Sequence, residues 1–167
     1  EVLGTDLQNL GNDKEAYRWT FLIENHLERD DYSRFIELCK AFSLPPATID
    51  QGTRDLMDLS EWMRSFAMYS LAGVNDAYSQ GNNHNLMFYV RPTDNKVLAL
   101  PWDMDFSFNR PATSALWGDQ NIAKIIALPS NQRVFHSHLR DLINKAANPT
   151  YMGYWTNHYG SLAGQNY

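Results

Sequence analysis

The residues from Gly81 to Phe108 constrain the fold of this chain more than any other stretch of it. Two short apolar runs, 86–91 and 96–101, are rich in residues that favour β-structure, and the turn-forming residues 92–95 separate them. This pattern predicts an antiparallel hairpin. Because antiparallel pairing brings strand ends together, we expect Asn85 to lie near Asp103 and Asp105, although eighteen positions separate Asn85 from Asp103.

The polar residues at that end of the hairpin are oxygen donors. Mg²⁺ and Mn²⁺ take one or two protein carboxylates and share their remaining positions among water and phosphate oxygens, so the pattern indicates a metal site for phosphoryl chemistry. Asp103 and Asp105 point to opposite faces of an extended chain and can share an ion only if the backbone turns after Trp102. The alternative interpretation is structural, with Asn85 in a turn and Trp102 and Phe106 in the core.

Two further polar residues flank this segment. Asp76 follows Gly73, which is predicted to end a helix, so Asp76 is either a site residue or an ordinary polar turn residue. Arg110 follows Asp105 by five positions and can therefore reach a phosphate bound at the same site.

The segment 84–108, HNLMFYVRPTDNKVLALPWDMDFSF, resembles the signature of the spore-coat CotH family of atypical protein kinases. In that signature an Asn-led apolar strand, a turn and a Pro-Trp-Asp-x-Asp segment follow an upstream Asp. Residues 57–63 resemble the family's segment that opens the helix before the active site, and residues 125–146 resemble its C-terminal helical region. The resemblance thus covers about residues 58–146.

This resemblance implies ATP-dependent, metal-assisted phosphoryl transfer to a Ser or Thr hydroxyl of a protein substrate. The implied fold is α+β and mainly helical, like the C-terminal lobe of a protein kinase, with a small antiparallel hairpin that carries the active-site acids. Asp76 would orient or deprotonate the attacking hydroxyl, Asn85 would hold Mg²⁺ or Mn²⁺, and Asp103 would bridge the metal to the phosphates of ATP. Asp105 is a secondary metal ligand, and Arg110 is a candidate for contacting the nucleotide.

The chain departs from ordinary protein kinases in several places. It has no H-R-D or D-F-G motif, and nine positions lead from Asp76 to Asn85 where that family has five. Before Asp58 there is no glycine-rich loop and no apolar strand with a Lys, the parts that an N-terminal lobe supplies. We therefore expect a fragment of a larger protein whose remainder supplies that lobe, and an isolated chain that binds ATP poorly or not at all.

Length and composition fit one globular domain covering residues 1–167. The chain has 44% apolar residues, which is enough to form a core. Its net charge of −5 argues against a nucleic-acid partner. No apolar run predicts a membrane span, and the single Cys39 excludes an intrachain disulfide. The family resemblance alone suggests a secreted protein or one at the cell or spore surface.

Helical periodicity and breaker residues predict the remaining elements. We expect a helix over 15–26, a second one from Asp30-Asp31 to Phe42, and a connection with at most a helical turn as far as Arg54. A helix capped by Asp58, with Glu61 completing a capping box, is expected to run to Gly73. A loop at 111–118 and three helices, at 121–128, 131–147 and 149–162, would follow.

Two other functions fit parts of the pattern. A metal-dependent glycosyltransferase also uses D-x-D to bind a diphosphate, but it normally adds a Rossmann-like βα series that this sequence lacks. A non-catalytic module that binds a cation or a protein partner, at a spore or cell surface, is the second alternative. A cation that raises the melting temperature while ATP has no effect would favour that module.

Overall fold

The computed structural model of the chain describes residues 6–118 and 121–165. The described residues are mainly helical and contain one two-stranded antiparallel sheet, so the predicted α+β class is confirmed. The helices are α1 (Glu15–Arg18), α2 (Ser33–Phe42), α3 (Pro46–Arg54), α4 (Leu59–Ala72), α5 (Asn121–Ile126), α6 (Pro129–Lys145) and α7 (Pro149–Gly164), and the strands are β1 (Leu86–Val90) and β2 (Val97–Pro101). Short 3₁₀ helices occur at Leu27–Arg29 and Tyr78–Gln80.

Helix α4 is the central element of the fold. Its start follows the prediction, because the Asp58 side chain accepts a hydrogen bond from the Glu61 N–H at 3.3 Å. Its end also follows the prediction, because Gly73 adopts the left-handed conformation with φ 59°. One face of α4, including Trp62 and Phe66, is fully buried against α6 and β2. The cap at Asp58 and the glycine at Gly73 therefore define where this buried helix begins and ends.

The hairpin has the predicted antiparallel strands, each one residue shorter at the turn. Leu86 pairs with Pro101 and Val90 with Val97. Phe88 turns its ring toward the core, 5.7 Å from the Trp62 ring. Its cross-strand partner Ala99 lies on the same, inward face of the hairpin. The other face, with Met87, Tyr89, Leu98 and Leu100, points away from the core, and Tyr89 is 48% exposed. The hairpin thus has one buried face and one apolar face that is partly open to solvent.

The outer edge of β2 is bonded to the segment around the start of α4. Val97 donates its N–H to the Leu56 carbonyl at 2.7 Å, and its own carbonyl accepts from the Asp58 N–H and the Trp62 indole. The Glu61 carboxylate accepts from the Ala99 N–H at 2.9 Å. The predicted capping box is therefore wrong in one respect, because the Glu61 side chain binds the neighbouring strand instead of the start of its own helix.

The predicted helix over 15–26 is wrong beyond its first turn. Helix α1 ends at Arg18, and His26 has a left-handed φ of 54°, which no α-helix accommodates. The apolar residues of the pattern are buried by a different geometry, with the Phe21 ring 4.5 Å from that of Phe35. Tertiary packing of the aromatic side chains therefore replaces the helix that the periodicity indicates.

The predicted connection before Arg54 is also wrong, because these residues form α3. Pro46 occupies the first turn of this helix, where the missing N–H costs nothing. Ile49 and Thr53, one turn apart, are both buried. The Pro-Pro pair therefore stops one helix and starts the next.

The C-terminal half of the chain matches the predictions to within two residues at each helix end, and the loop at 111–118 is confirmed. Asn148 caps α7 by accepting from the Tyr151 N–H at 2.9 Å, yet no residue of α7 is buried. None of the helices in residues 6–118 and 121–165 has the long apolar stretch that a bilayer span requires.

Removal of the Glu61 side chain should loosen the contact between the hairpin and α4. Glu61→Ala leaves the Ala99 N–H without its acceptor, and we expect a loss of about 1–3 kcal/mol in the free energy of unfolding. Glu61→Gln keeps an acceptor oxygen and should cost less. Urea denaturation measures both, with Glu24→Ala, an exposed glutamate, as the control. Equal stability of Glu61→Ala and the control would show that this hydrogen bond does not stabilise the fold.

Candidate active site

The candidate site lies where the hairpin opens, beside the C-terminal end of α4. The 3₁₀ helix Tyr78–Gln80 folds the connection back so that Asp76 meets Asn85, although nine positions separate them. The Asn85 Nδ2 donates a hydrogen bond to the Asp76 Oδ2 at 2.7 Å. The structure therefore brings these two predicted site residues into direct contact.

This hydrogen bond leaves two oxygen atoms without partners. The Asp76 Oδ1 and the Asn85 Oδ1 are both buried and accept no hydrogen bond from the described residues. A buried polar atom without a partner is costly, and such atoms are rare in native structures. The pair thus presents two acceptor oxygens that a cation or a donor group would satisfy.

Asn85 and Asp103 both adopt the left-handed conformation, with φ 54° and φ 47°. Asn and Asp tolerate this conformation better than other non-glycine residues because their short side chains bond locally. The turn at Asp103 is the change of direction after Trp102 that the D-x-D segment needs. Asn85 is buried with 1% exposure, whereas Asp103 is exposed to solvent.

The buried hydroxyl of Tyr69 connects the two ends of the hairpin. It donates to the Asn85 carbonyl at 2.5 Å and accepts from the Trp102 N–H at 2.8 Å. Burial raises the pKa of the Tyr69 phenol to about 12, and the negative charges of Asp76 and Asp103 add to the rise. Asn85 bonds to this phenol, and the carboxylates of Asp76 and Asp103 lie near enough to act on it, whereas the hairpin predicts Asn85 together with Asp103 and Asp105.

The residues after Asp103 are held by the end of α4. Phe108 donates its N–H to the Ala72 carbonyl at 2.6 Å, and Asn109 donates to the Gly73 carbonyl at 3.1 Å. The Asn75 N–H donates in turn to the Phe106 carbonyl at 3.3 Å. The segments that carry Asp76 and Asp103 are thus fastened to the same helix end.

Asp105 and Arg110 make no hydrogen bond or ion pair with the side chains of Asp76, Asn85 and Asp103 among the described residues. Asp105 is exposed. The Arg110 guanidinium lines a cavity of about 260 Å³, where it donates to the Gln80 carbonyl at 3.1 Å and to the Gln80 Oε1. It also donates to the Ala115 carbonyl at 3.3 Å. Their predicted roles in binding metal and nucleotide stay predictions.

Within residues 6–118 and 121–165 no cluster of three or more His, Cys, Asp or Glu side chains could hold a metal ion. An ion at this site would therefore combine protein carboxylate and amide oxygens with water or phosphate oxygens. Mg²⁺ is commonly bound in this way in enzymes that handle nucleotides.

The sequence pattern of the CotH kinase protein family matches residues 4–153, which is most of the chain. This chain belongs to the CotH family. The matched range contains the hairpin, α4 and every residue of the candidate site. A comparison with curated proteins finds no match. Membership of the CotH family suggests a kinase-like function, and it confirms the resemblance that the hairpin motif carries.

Tyr69 is the residue of this site that the sequence did not reveal. Its spacing on α4 predicts only a buried apolar face, and an aromatic residue on such a face is usually a core residue. Its hydroxyl contacts main-chain groups of two residues, Asn85 before β1 and Trp102 after β2, and no local pattern encodes such contacts. The position of Tyr69 follows only from knowing that the hairpin packs against α4.

The raised pKa of Tyr69 predicts a loss of stability at alkaline pH. The pKa of the phenol is near 10 in the unfolded chain, and burial raises it to about 12 in the folded protein. Between these values the folded state keeps a proton that the unfolded chain loses, so the free energy of unfolding falls by up to about 1.4 kcal/mol per pH unit. Urea denaturation from about pH 9 to about pH 11 should show a shallower fall in Tyr69→Phe. Tyr154→Phe, an exposed tyrosine, should keep the original slope, and identical slopes in all three proteins would contradict the assignment.

Proposed function

We propose that this chain provides the catalytic and metal-binding residues of a CotH-type protein kinase that transfers the γ-phosphate of ATP to Ser or Thr hydroxyls. The observation that carries the proposal is the Asp76–Asn85 pair, which uses one polar atom of each side chain and leaves one buried oxygen of each without a partner. A phosphotransferase needs two acceptors of this kind, one for the substrate hydroxyl and one for the metal.

The hydrogen bond between the pair supports a division of roles. Asn85 uses its Nδ2 as the donor, so its Oδ1 is the atom that can ligate a cation. Asp76 uses its Oδ2 as the acceptor, so its Oδ1 is available to accept a proton from a hydroxyl. In this proposal Asp76 is the residue that orients or deprotonates the acceptor, and Asn85 is a metal ligand.

The donor set fits Mg²⁺ or Mn²⁺. It consists of oxygen atoms from one amide and from carboxylates, which are hard ligands and suit these ions better than Zn²⁺. Asp103 would complete it from the exposed side, where phosphate oxygens can also approach. When bound, the ion would neutralise negative charge on the phosphates of ATP.

The outer face of the hairpin suits a nucleotide base. The cross-strand pairs Met87–Leu100 and Tyr89–Leu98 make this face apolar, and it begins two residues from Asn85. Leu100 is 39% exposed, so the surface is open to a flat aromatic ligand. ATP bound there would place its base on these side chains and its phosphates toward Asn85 and Asp103.

Two substitutions in the whole natural protein separate binding from chemistry. Asp103→Ala is expected to weaken binding of Mn²⁺·ATP, because a carboxylate that faces both metal and phosphates is removed. Asp76→Asn is expected to retain that binding and to lower kcat by about 10²–10⁴-fold, the usual contribution of a general base. Transfer of labelled γ-phosphate to casein and to the protein itself measures the activity.

Asp94→Ala is the matched control for these substitutions, because Asp94 is an aspartate at the far end of the same hairpin and pairs with Arg91 at 2.7 Å. It should leave binding and transfer unchanged. Wild-type transfer by Asp103→Ala would contradict the proposed ligand role. Label that stays on ATP in every protein, together with a melting temperature raised by Mn²⁺ alone, would favour the non-catalytic cation-binding module.

A further inference from the structure

The hydrogen-bond ladder of the hairpin stops one rung short of the candidate site. Pairs in an antiparallel ladder alternate between directly bonded and non-bonded residues. The Arg91 N–H donates to the Lys96 carbonyl at 2.9 Å, which fixes the phase of this alternation. Counted from it in steps of two, the further bonded pairs are Tyr89–Leu98 and Met87–Leu100, and the next would be Asn85–Trp102.

The orientation of β2 agrees with this phase. Val97 and Ala99 turn their N–H groups away from β1, toward Leu56 and Glu61. Pro101, the next residue of the same parity, has no N–H to donate. Trp102 therefore directs its N–H toward the other strand, where the Asn85 carbonyl is the expected acceptor.

The Tyr69 hydroxyl occupies the position of that missing bond. It accepts from the Trp102 N–H at 2.8 Å and donates to the Asn85 carbonyl at 2.5 Å. Two bonds in series replace one direct N–H···O=C bond, whose donor and acceptor lie about 2.9 Å apart. The two main chains are consequently farther apart at this point than a further rung would allow.

We propose that Tyr69 is a positioning residue, whose hydroxyl holds the two strand ends apart so that Asn85 and Asp103 can share one divalent ion. The inference rests on the proposed function, because it assigns a purpose to the spacing between two proposed metal ligands. Asn85 carries the bonded carbonyl, and Asp103 follows the bonded N–H directly. A change in the two hydrogen bonds of the Tyr69 hydroxyl therefore moves both residues.

The hydroxyl has no free proton to give to the reacting groups. Its single proton is donated to Asn85, it accepts from Trp102, and the side chain has no exposed surface. Tyr69 thus acts through the residues that it holds. Without the hydroxyl, the Trp102 N–H would bond directly to the Asn85 carbonyl, and the hairpin would close by one rung.

The test compares Tyr69→Phe with Tyr17→Phe in the whole natural protein. Tyr17 is a matched control, because its buried hydroxyl also joins two main-chain groups, accepting from the Leu10 N–H at 2.8 Å and donating to the Gly11 carbonyl at 3.1 Å. Mn²⁺ affinity in the presence of ATP should fall by about 10–100-fold in Tyr69→Phe, the range for loss of a group that orients a ligand. Tyr17→Phe should bind Mn²⁺ as the wild type does.

A split between kinetic constants separates positioning from general destabilisation. The concentration of Mn²⁺ that gives half-maximal transfer should rise in Tyr69→Phe, and kcat at saturating Mn²⁺ should change much less. The same Mn²⁺ dependence in both Tyr variants would overturn the inference, even if both lose stability.

Two measurements test the hydrogen bonds of the Tyr69 hydroxyl without any reference to activity. A crystal structure of Tyr69→Phe should show the Trp102 nitrogen about 2.9 Å from the Asn85 carbonyl oxygen, and strands that remain apart would overturn the proposal. In the unsubstituted protein the Trp102 amide should exchange with solvent as slowly as those of Leu98 and Leu100. Fast exchange at Trp102 would have the same consequence, whether or not the variant folds.

These readouts distinguish the two proposals. A wild-type protein that binds neither Mn²⁺ nor ATP removes the proposed function, while the crystal structure and the exchange rate still decide whether the Tyr69 hydroxyl holds the strand ends apart. A wild-type protein that binds both, with equal affinities in the two Tyr variants, contradicts the positioning role of Tyr69 and leaves the proposed function unaffected.

Discussion

The attachment of the hairpin to α4 is the interaction on which the rest of the structure depends. An isolated two-stranded hairpin is marginally stable in water, and its open edges leave main-chain groups unpaired. Here the edge of β2 bonds to Leu56, Asp58, Glu61 and Trp62, all at or near the start of α4. The other end of the same helix holds the segments that carry Asp76 and Asp103. One buried helix therefore fixes the hairpin at its start and the segments that carry Asp76 and Asp103 at its end.

The chemistry of the site follows from which polar atoms that scaffold leaves unpaired. Most buried polar atoms of the described residues have partners, and the fold places two oxygens without any side by side at Asp76 and Asn85. Such an arrangement costs stability, which is common where a protein binds a ligand. The same reasoning applies to Tyr69. Its hydroxyl replaces a direct main-chain hydrogen bond between the strands with two bonds in series, which keep the strand ends apart. Both features lower local stability and leave the site open to a ligand.

The sequence predicted the elements whose signals are local. The strands, the Asp58 cap, the Gly73 end and the C-terminal helices depend on turn residues and periodicity within a few positions, and each formed as expected. The helix over 15–26 failed because aromatic packing of Phe21 against Phe35 outweighed periodicity. The connection before Arg54 failed because Pro46 has two meanings, the end of one helix and the first turn of the next. Glu61 fitted a local capping motif but found a partner across the fold.

The sequence by itself determined the hairpin, the polar residues at its open end and the family to which the chain belongs, because strand, turn and motif are written in adjacent residues. Only the tertiary structure decided that Asp76 bonds to Asn85 across an eight-residue loop, that Arg110 is held by Gln80, and that the Tyr69 hydroxyl bonds to both strand ends. Those contacts join residues that are distant in the chain, and their geometry depends on how α4 packs. No local preference of the backbone or of a side chain encodes that packing.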